Sequence, residues 1–326
     1  MDRIDWRSYT QDVVRCLPHK SLERYCPGGY HPITLGDTLH HGRCKITNKL
    51  GYGSYSTVTW ASLKIKRASR STENLDEDPE VRSMKALEKH YVCGPQDRPR
   101  RFLRLLDTFH HEGPNSIHSC LVMELLGPSL SSVLRINCWD DGEFLDPNTI
   151  LRSSQQLLEG IQFAHDAGIS HGDICSANIA FTCNGASTDE ELLKLLGGNP
   201  VTATYINKQI PRTPHLPLQL VKSTEWSMWV YGPTEDIRII DWGLSFPVKE
   251  TLNPENHTGD LRSPEGFFIH SIDSRQDLWQ AGCAVYSLFT PFLTVSNYVS
   301  TNRYTPFSIN TIHFFSHCPI TSDLKW

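Results

Sequence analysis

The chain has 326 residues, 31 Lys and Arg against 36 Asp and Glu, a formal charge of −5, a pI near 6.3 and 39% hydrophobic residues. That length and apolar content suit two modest domains or one large bilobal one and exclude disorder as the default, and the outnumbered, dispersed basic residues exclude bulk electrostatic capture of nucleic acid. The ten cysteines are scattered singly without a CxxC pair and the opening Met1-Asp2-Arg3-Ile4-Asp5-Trp6 is no secretory leader, so neither a disulfide framework nor a zinc site is expected, and the compartment is expected to be reducing, cytoplasmic or nuclear.

Residues 1–40 are polar and rich in turn formers, with Pro27-Gly28-Gly29-Tyr30-His31-Pro32 as the strongest breaker, and are expected to pack on the domain as an extension. Strands are predicted over Arg43 to Leu50, leading into the turn Gly51-Tyr52-Gly53-Ser54-Tyr55-Ser56-Thr57-Val58, and over Trp60 to Ile65. Val81, Met84 and Leu87 recur at helical spacing in Glu80 to His90, which predicts a surface helix with one buried stripe. Two strands, Phe102 to Phe109 and His118 to Leu125, follow around a turn at Gly113-Pro114-Asn115.

After Pro128 helices take over. One is expected over Ser129 to Ile136. A longer one starts at Asp146-Pro147-Asn148, runs to Ala167 with Ile150, Leu151, Leu157, Leu158, Ile161 and Phe163 as its apolar face, and is closed by Gly168. A well-capped short helix is predicted over Ser187 to Leu196, inside an insertion that runs to Glu235 and is otherwise expected to be irregular and exposed. Leu278 to Asn302 carries no charge, yet Gln280, Pro291, Ser296 and Asn297 interrupt it, so it is read as the centre of a large soluble domain and not as a membrane span.

The chemistry centres on Ile169-Ser170-His171-Gly172-Asp173-Ile174-Cys175-Ser176-Ala177-Asn178, a loop directly after a helix. Asp173 is placed to orient a hydroxyl and Asn178, five residues on, to hold a metal ion through its carbonyl oxygen, the layout of a phosphotransferase catalytic loop. Such a site also needs a glycine-rich phosphate cover, a lysine and a second metal-binding carboxylate. Gly51, Gly53, Ser56 and Val58 supply a GxGxxS turn whose small residues let backbone N–H groups approach phosphates, although a tight hairpin has the same letters. Lys64 lies in a strand-like context and is preferred to Lys85, whose surface-helix setting is that of a solvated charge; Glu80 is its expected partner, with Glu88 a poorer one. Asp241 ends the β-branched run Ile237 to Ile240 and is the expected second magnesium ligand. Glu265 and Asp277 are read as buried structural ties to an arginine or to backbone.

These pieces, in this order from Gly51 to about Thr290, resemble eukaryotic protein kinases. The wording Pro27-Gly-Gly-Tyr-His-Pro32, Leu105-Leu-Asp-Thr-Phe-His-His-Glu-Gly-Pro-Asn115, Leu121-Val-Met-Glu-Leu-Leu-Gly127 and the long insertion before Asp241 resemble the serine/arginine-rich-protein-specific kinases, in the manner of divergent fungal members. The resemblance implies an α+β, bilobal fold: a β-rich N-lobe over 41–126 and a mostly helical C-lobe over 127–292, carrying an insertion at 183–235. An extension at 1–40 and a divergent tail at 293–326 would flank a C-lobe lacking the family's last helices. It implies ATP with magnesium, transfer to serine or threonine of a protein substrate of the arginine/serine-rich class, Met123 at the back of the adenine pocket and Glu124 to Leu126 as the hinge. A monomer is expected. Two departures stand out. Gly172 replaces the arginine that commonly pairs with a phosphorylated activation loop. Cys175 replaces the lysine beside the transferring phosphoryl group, a loss on the order of 1–3 kcal/mol of transition-state stabilisation. The eight residues from Ser56 to Lys64 imply a clipped hairpin. The alternatives are a pseudokinase scaffold, favoured by Cys175 and the clipped N-lobe, and a small-molecule phosphotransferase of the aminoglycoside-kinase type, suggested by His171-Gly172-Asp173.

Overall fold

The computed structural model describes residues 22–50, 54–57, 61–95, 97–136, 145–184, 186, 188–203, 213–224, 226, 229, 232, 235–253 and 261–289, with backbone alone at 54–57 and 203. The N-terminal part is a sheet built from β1 (Thr38–Leu39), β2 (Cys44–Asn48), β3 (Ser54–Thr57) and β4 (Ala61–Ile65), then, after helix α1 (Pro79–Cys93), β5 (Leu105–Gly113) and β6 (Ser116–Glu124). Its order is β1-β2-β3-β4-β6-β5, and every pairing is antiparallel. β3 meets β4 in the register Ser54↔Lys64 to Thr57↔Ala61, so the two strands form the short hairpin that the spacing implied. The strand already starts at Ser54, which leaves a shorter turn than the sequence suggested. Gly51, Gly53 and Val58 lie outside the described residues.

β6 explains why this sheet holds two layers together. Because side chains alternate across a strand, Leu121 and Met123 join the main core while Cys120 and Val122 join a second cluster with Ile46, Leu63 and Phe109 on the other face. The extension closes that second face with Ile33 and Leu39. α1 turns Val81, Met84 and Leu87 into the main core, all at most 1% exposed, as their spacing predicted.

The rest of the chain is mainly helical. It runs through α2 (Leu130–Ile136), α3 (Pro147–Asp166), β7 (Ile169–Ser170), β8 (Ile179–Phe181), α4 (Asp189–Leu195), β9 (Thr202–Ala203), β10 (Leu220–Val221), β11 (Ile237–Ile239), β12 (Phe246–Pro247), α5 (Pro264–Phe268) and α6 (Arg275–Phe289). α3 starts where the sequence placed it: Asp146 caps it through Thr149 N at 3.0 Å, Pro147 fills the first turn, and Gly168 at φ 83° turns the chain away. Its buried residues are Thr149, Ile150, Ser153, Gln156, Leu157, Gly160, Ile161, Phe163 and Ala164; Leu151 (69% exposed) and Leu158 (52%) face solvent, against expectation. Each stands one position, about 100° of helix rotation, from the stripe that α6 and β11 cover. Glu265 is half-buried and not the buried tie expected. Among the described residues no helix is long and apolar enough to cross a membrane. The tail at 293–326 lies outside the described residues.

The insertion is the largest departure. α4 is capped reciprocally by Thr188 and Glu191, as a short capped helix should be, but several of the insertion's described residues are buried. Leu192, Leu196 and Trp226 are buried together, packed by Leu50, Leu125 and Trp229, and Leu216 and Leu220 are buried with Leu22 and Tyr25 of the extension. Main-chain and side-chain bonds tie it to the end of β2: Thr224 N donates to Lys49 O at 2.7 Å and Lys49 Nζ to Val221 O at 3.1 Å.

Candidate active site

β8 and β11 pair antiparallel, Ile179↔Ile239 and Phe181↔Ile237, and this ribbon brings the two polar loops together. Asn178 O accepts from Ile240 N at 2.9 Å, so the end of the His171–Asn178 loop and the residue before Asp241 are stitched directly. His171 is 1% exposed and makes a second stitch, with Nε2 2.9 Å from Ile240 O and Nδ1 3.1 Å from Asp173 N. A carbonyl only accepts and an amide N–H only donates, so the proton sits on Nε2 and the ring is neutral. Burial lowers the His171 pKa, overcoming the opposing pull of Asp277 and of the Ile240 carbonyl. Trp242, wholly buried, sets its ring edge-on to His171 at 4.7 Å.

The loop is held from below by α6. Asp277, 1% exposed, accepts from His171 N at 2.8 Å, Gly172 N at 2.7 Å and His165 Nε2 at 2.8 Å, while Gln280 Oε1 accepts from Ile174 N at 2.8 Å. Asp277 is thus a tie to backbone, as its position suggested. Gly172 stands at φ 80°, left-handed backbone that glycine adopts without a Cβ penalty. The missing arginine therefore coincides with a glycine-favouring conformation. Asp173 and Asn178 are both partly exposed, and Asn178 Nδ2 donates to Asp173 O at 2.8 Å and Oδ2 at 3.0 Å. The planar amide consequently turns Oδ1 away from Asp173.

Lys64 reaches across to this loop cluster. Its Nζ lies 2.7 Å from Glu80 Oε1 and 2.8 Å from Asp241 Oδ1, joining β4, α1 and the end of β11. Burial alone would lower the Lys64 pKa, but the two carboxylates outweigh it and raise it above the ordinary lysine value. Burial likewise pushes the Asp241 carboxyl up, and the Lys64 charge and hydrogen bond reverse this and hold it below the usual carboxylate range. Asp241 itself sits at φ 63°, with its side chain half exposed. The competing residues are engaged elsewhere: Lys85 pairs with Asp76 on the surface, and Glu88 with Arg100.

Met123 is 4% exposed in the main core. Glu124 Oε1 accepts from Arg104 N at 2.8 Å, and Leu126 is buried between the sheet and the helices. Ser56 has its backbone in β3, opposite Ser62. Sequence reasoning passed over Lys66 and Asp78, which flank the Lys64–Glu80 pair; the signal was there, since Lys64 and Lys66 are two apart on a strand and Asp78-Pro79 is a helix start. Among the described residues no group of three or more His, Cys, Asp and Glu could hold a metal ion.

A two-lobed arrangement with a lysine–glutamate pair, an Asp–Asn loop and a facing Asp is that of a protein kinase domain. A solved crystal structure of a kinase domain superposes with a TM-score of 0.51 over 78% of this chain and 66% of that one, at 17% identity, and the fold is accordingly the bilobal protein-kinase fold. No family model matches the chain. It is 32% identical over 191 residues to protein kinase dsk1 of Schizosaccharomyces pombe, covering 54% of this chain and 33% of that protein. It is 24% identical over 290 residues to the serine/threonine-protein kinase SRPK of Physarum polycephalum, covering 83% and 66%, and 32% identical over 168 residues to human SRSF protein kinase 3, covering 48% and 28%. Over part of its length the chain is similar to these SR protein kinases, and it spans about a third of the length of dsk1.

Proposed function

We propose that this chain transfers the γ-phosphoryl group of ATP to a serine or threonine hydroxyl of a protein substrate. The observation that carries the reading is the Lys64 ammonium bridging Glu80 at 2.7 Å and Asp241 at 2.8 Å beside the Asp173–Asn178 loop. In this reading Lys64 binds the α- and β-phosphates with Glu80 fixing its direction, and Asp173 Oδ orients the acceptor hydroxyl and receives its proton. Asn178 Oδ1 and the Asp241 carboxylate are hard oxygen donors that fit magnesium, which takes few protein ligands and fills its shell with phosphate oxygens and water. Bound magnesium would supply charge neutralisation at the β- and γ-phosphates. Gly51, Gly53, Ser56 and Val58 are assigned to the phosphate cover and Met123, Glu124 and Leu126 to the adenine side. The kinase relatives support turnover over the scaffold alternative.

Arginine/serine-rich proteins are the proposed substrates, a monomer the proposed state, and the cytoplasm or nucleus the proposed compartment; localisation of a tagged chain tests the last. The central test is a thermal shift with magnesium and millimolar ATP, expected in the wild type and absent in Asp241→Ala. Phosphate transfer to an arginine/serine-rich peptide in preference to an aminoglycoside is the expected acceptor choice. An Asp173→Ala variant as fast as wild type would overturn the assignment of the base.

A further inference from the structure

Glu80 is only 2% accessible although it is the second residue of α1, which the chain enters from the short 3-10 turn Leu75–Glu77 through the cap residue Asp78. Its position depends on the cap. Asp78, wholly buried, accepts from Glu80 N at 3.0 Å and Val81 N at 3.3 Å through Oδ1. Two buried carboxylates two residues apart repel, and Lys64 cannot neutralise both, because it is already shared between Glu80 and Asp241. The missing charge comes from Lys66. Its Nζ lies 2.7 and 2.8 Å from the two Asp78 oxygens and 3.0 Å from Glu80 Oε2. Its own main chain is pinned to β6, with N donating to Ser119 O at 2.9 Å and O accepting from His118 Nδ1 at 2.9 Å. Glu80 is thus gripped at both oxygens, Oε1 by Lys64 and Oε2 by Lys66.

We propose that Lys66 is a positioning residue for phosphoryl transfer: a second ammonium that neutralises Asp78, seats the first turn of α1 and holds Glu80 against Lys64. The inference rests on the proposed kinase reading. Strand alternation makes it possible, because Lys64 and Lys66 leave β4 and its continuation on one face. Replacing Lys66 by Met leaves buried Asp78 without its ammonium beside Glu80, so Glu80 moves off Lys64 and the lysine loses its direction toward the phosphates.

The test measures kcat and KM for ATP in the full-length wild type, K66M, K66R and K66M/D78N, with melting curves to confirm folding. Lys66→Met is expected to lower kcat/KM for ATP at least about tenfold, Lys66→Arg to stay within about threefold of wild type, and Asp78→Asn to recover most of the loss because asparagine still caps the helix without the charge. Wild-type kinetics in K66M, or a loss that neither K66R nor the second substitution recovers, would overturn the proposal. A wild type without transfer would sink the kinase reading alone. In that event hydrogen exchange over residues 79–84 decides the positioning role: faster exchange in K66M than in wild type and K66M/D78N upholds it, and equal exchange in all three overturns it.

Discussion

The His171–Asn178 loop and the insertion at 183–235 are held by different balances of polar and apolar contact. Around His171, Gly172, Asp173 and Asn178 the contacts are polar and directional: Asp277 and Gln280 meet the backbone N–H groups of His171, Gly172 and Ile174 from α6. The insertion is closed at its neck by buried Glu235, which accepts from Asn184 N at 3.1 Å and from the Thr182 hydroxyl, and beyond the neck its described residues combine two buried apolar clusters with scattered bonds to Lys49, Asn115 and Arg152. Trp226 shows the cost of that arrangement. It sits at φ 56°, strained backbone for a residue with a Cβ, and its burial with Leu192 and Leu196 offsets the strain. The loop is thus fixed chiefly by hydrogen-bonding geometry, whereas the insertion depends as well on how much apolar surface it removes from water.

The comparison breaks most readily at Asp277. Replacing it with Ala strips acceptors from three donors at once, two of them buried backbone N–H groups, and is expected to cost about 3–5 kcal/mol of folding stability, read by denaturant unfolding. A cost under about 1 kcal/mol would show that the loop does not depend on α6. Trp226→Ala tests the insertion. It is expected to cost about 2–4 kcal/mol and to expose residues 183–235 to limited proteolysis while the kinase core stays resistant; unchanged proteolysis would mean that the insertion is not anchored by this side chain.

A smaller effect sharpens the same contrast at the extension, which also docks by burial. His31 stacks edge-on against His111 and His118, and burial, then the two neighbouring rings, lowers its pKa to about 3. The folded state therefore keeps it neutral where the unfolded chain takes up a proton. The stability it contributes is fully present above the unfolded value of 6.5 and is lost as pH falls toward 3. Between pH 6.5 and about 5.5 the expected loss is at most about 1 kcal/mol, and His31→Asn should flatten it in a pH series of melting curves.

Much of the site could be read from spacing. Lys64 was separable from Lys85 because strand and surface-helix contexts differ, and the structure gives Lys64 the Glu80 and Asp241 contacts while Lys85 faces solvent. The starts and stops of α1 and α3 were equally legible, since caps are local. Lys66 was not, because an ammonium two residues beyond the expected one has meaning only once Asp78 and Glu80 are folded against it. Leu151 and Leu158 were misassigned because apolar letters do not reveal which side of a helix its neighbours cover. The insertion differs from expectation for a related reason: Leu192 and Leu196 keep helical spacing on α4, but nothing local shows that Trp226, far along an irregular stretch, covers them.

By itself, then, the chain determined what depends on neighbours in sequence: the strands and helices, their caps, and the order of Lys64, Glu80, Asp173, Asn178 and Asp241. Backbone period and capping act over a few residues, so a linear reading reaches them. Only the tertiary structure decided that two lysines share Glu80, that Asp277 supports the loop, and that Trp226 folds the insertion against Leu50 and Leu125. Those outcomes depend on which charges and apolar surfaces lose water together, and segments far apart in the chain make that choice jointly.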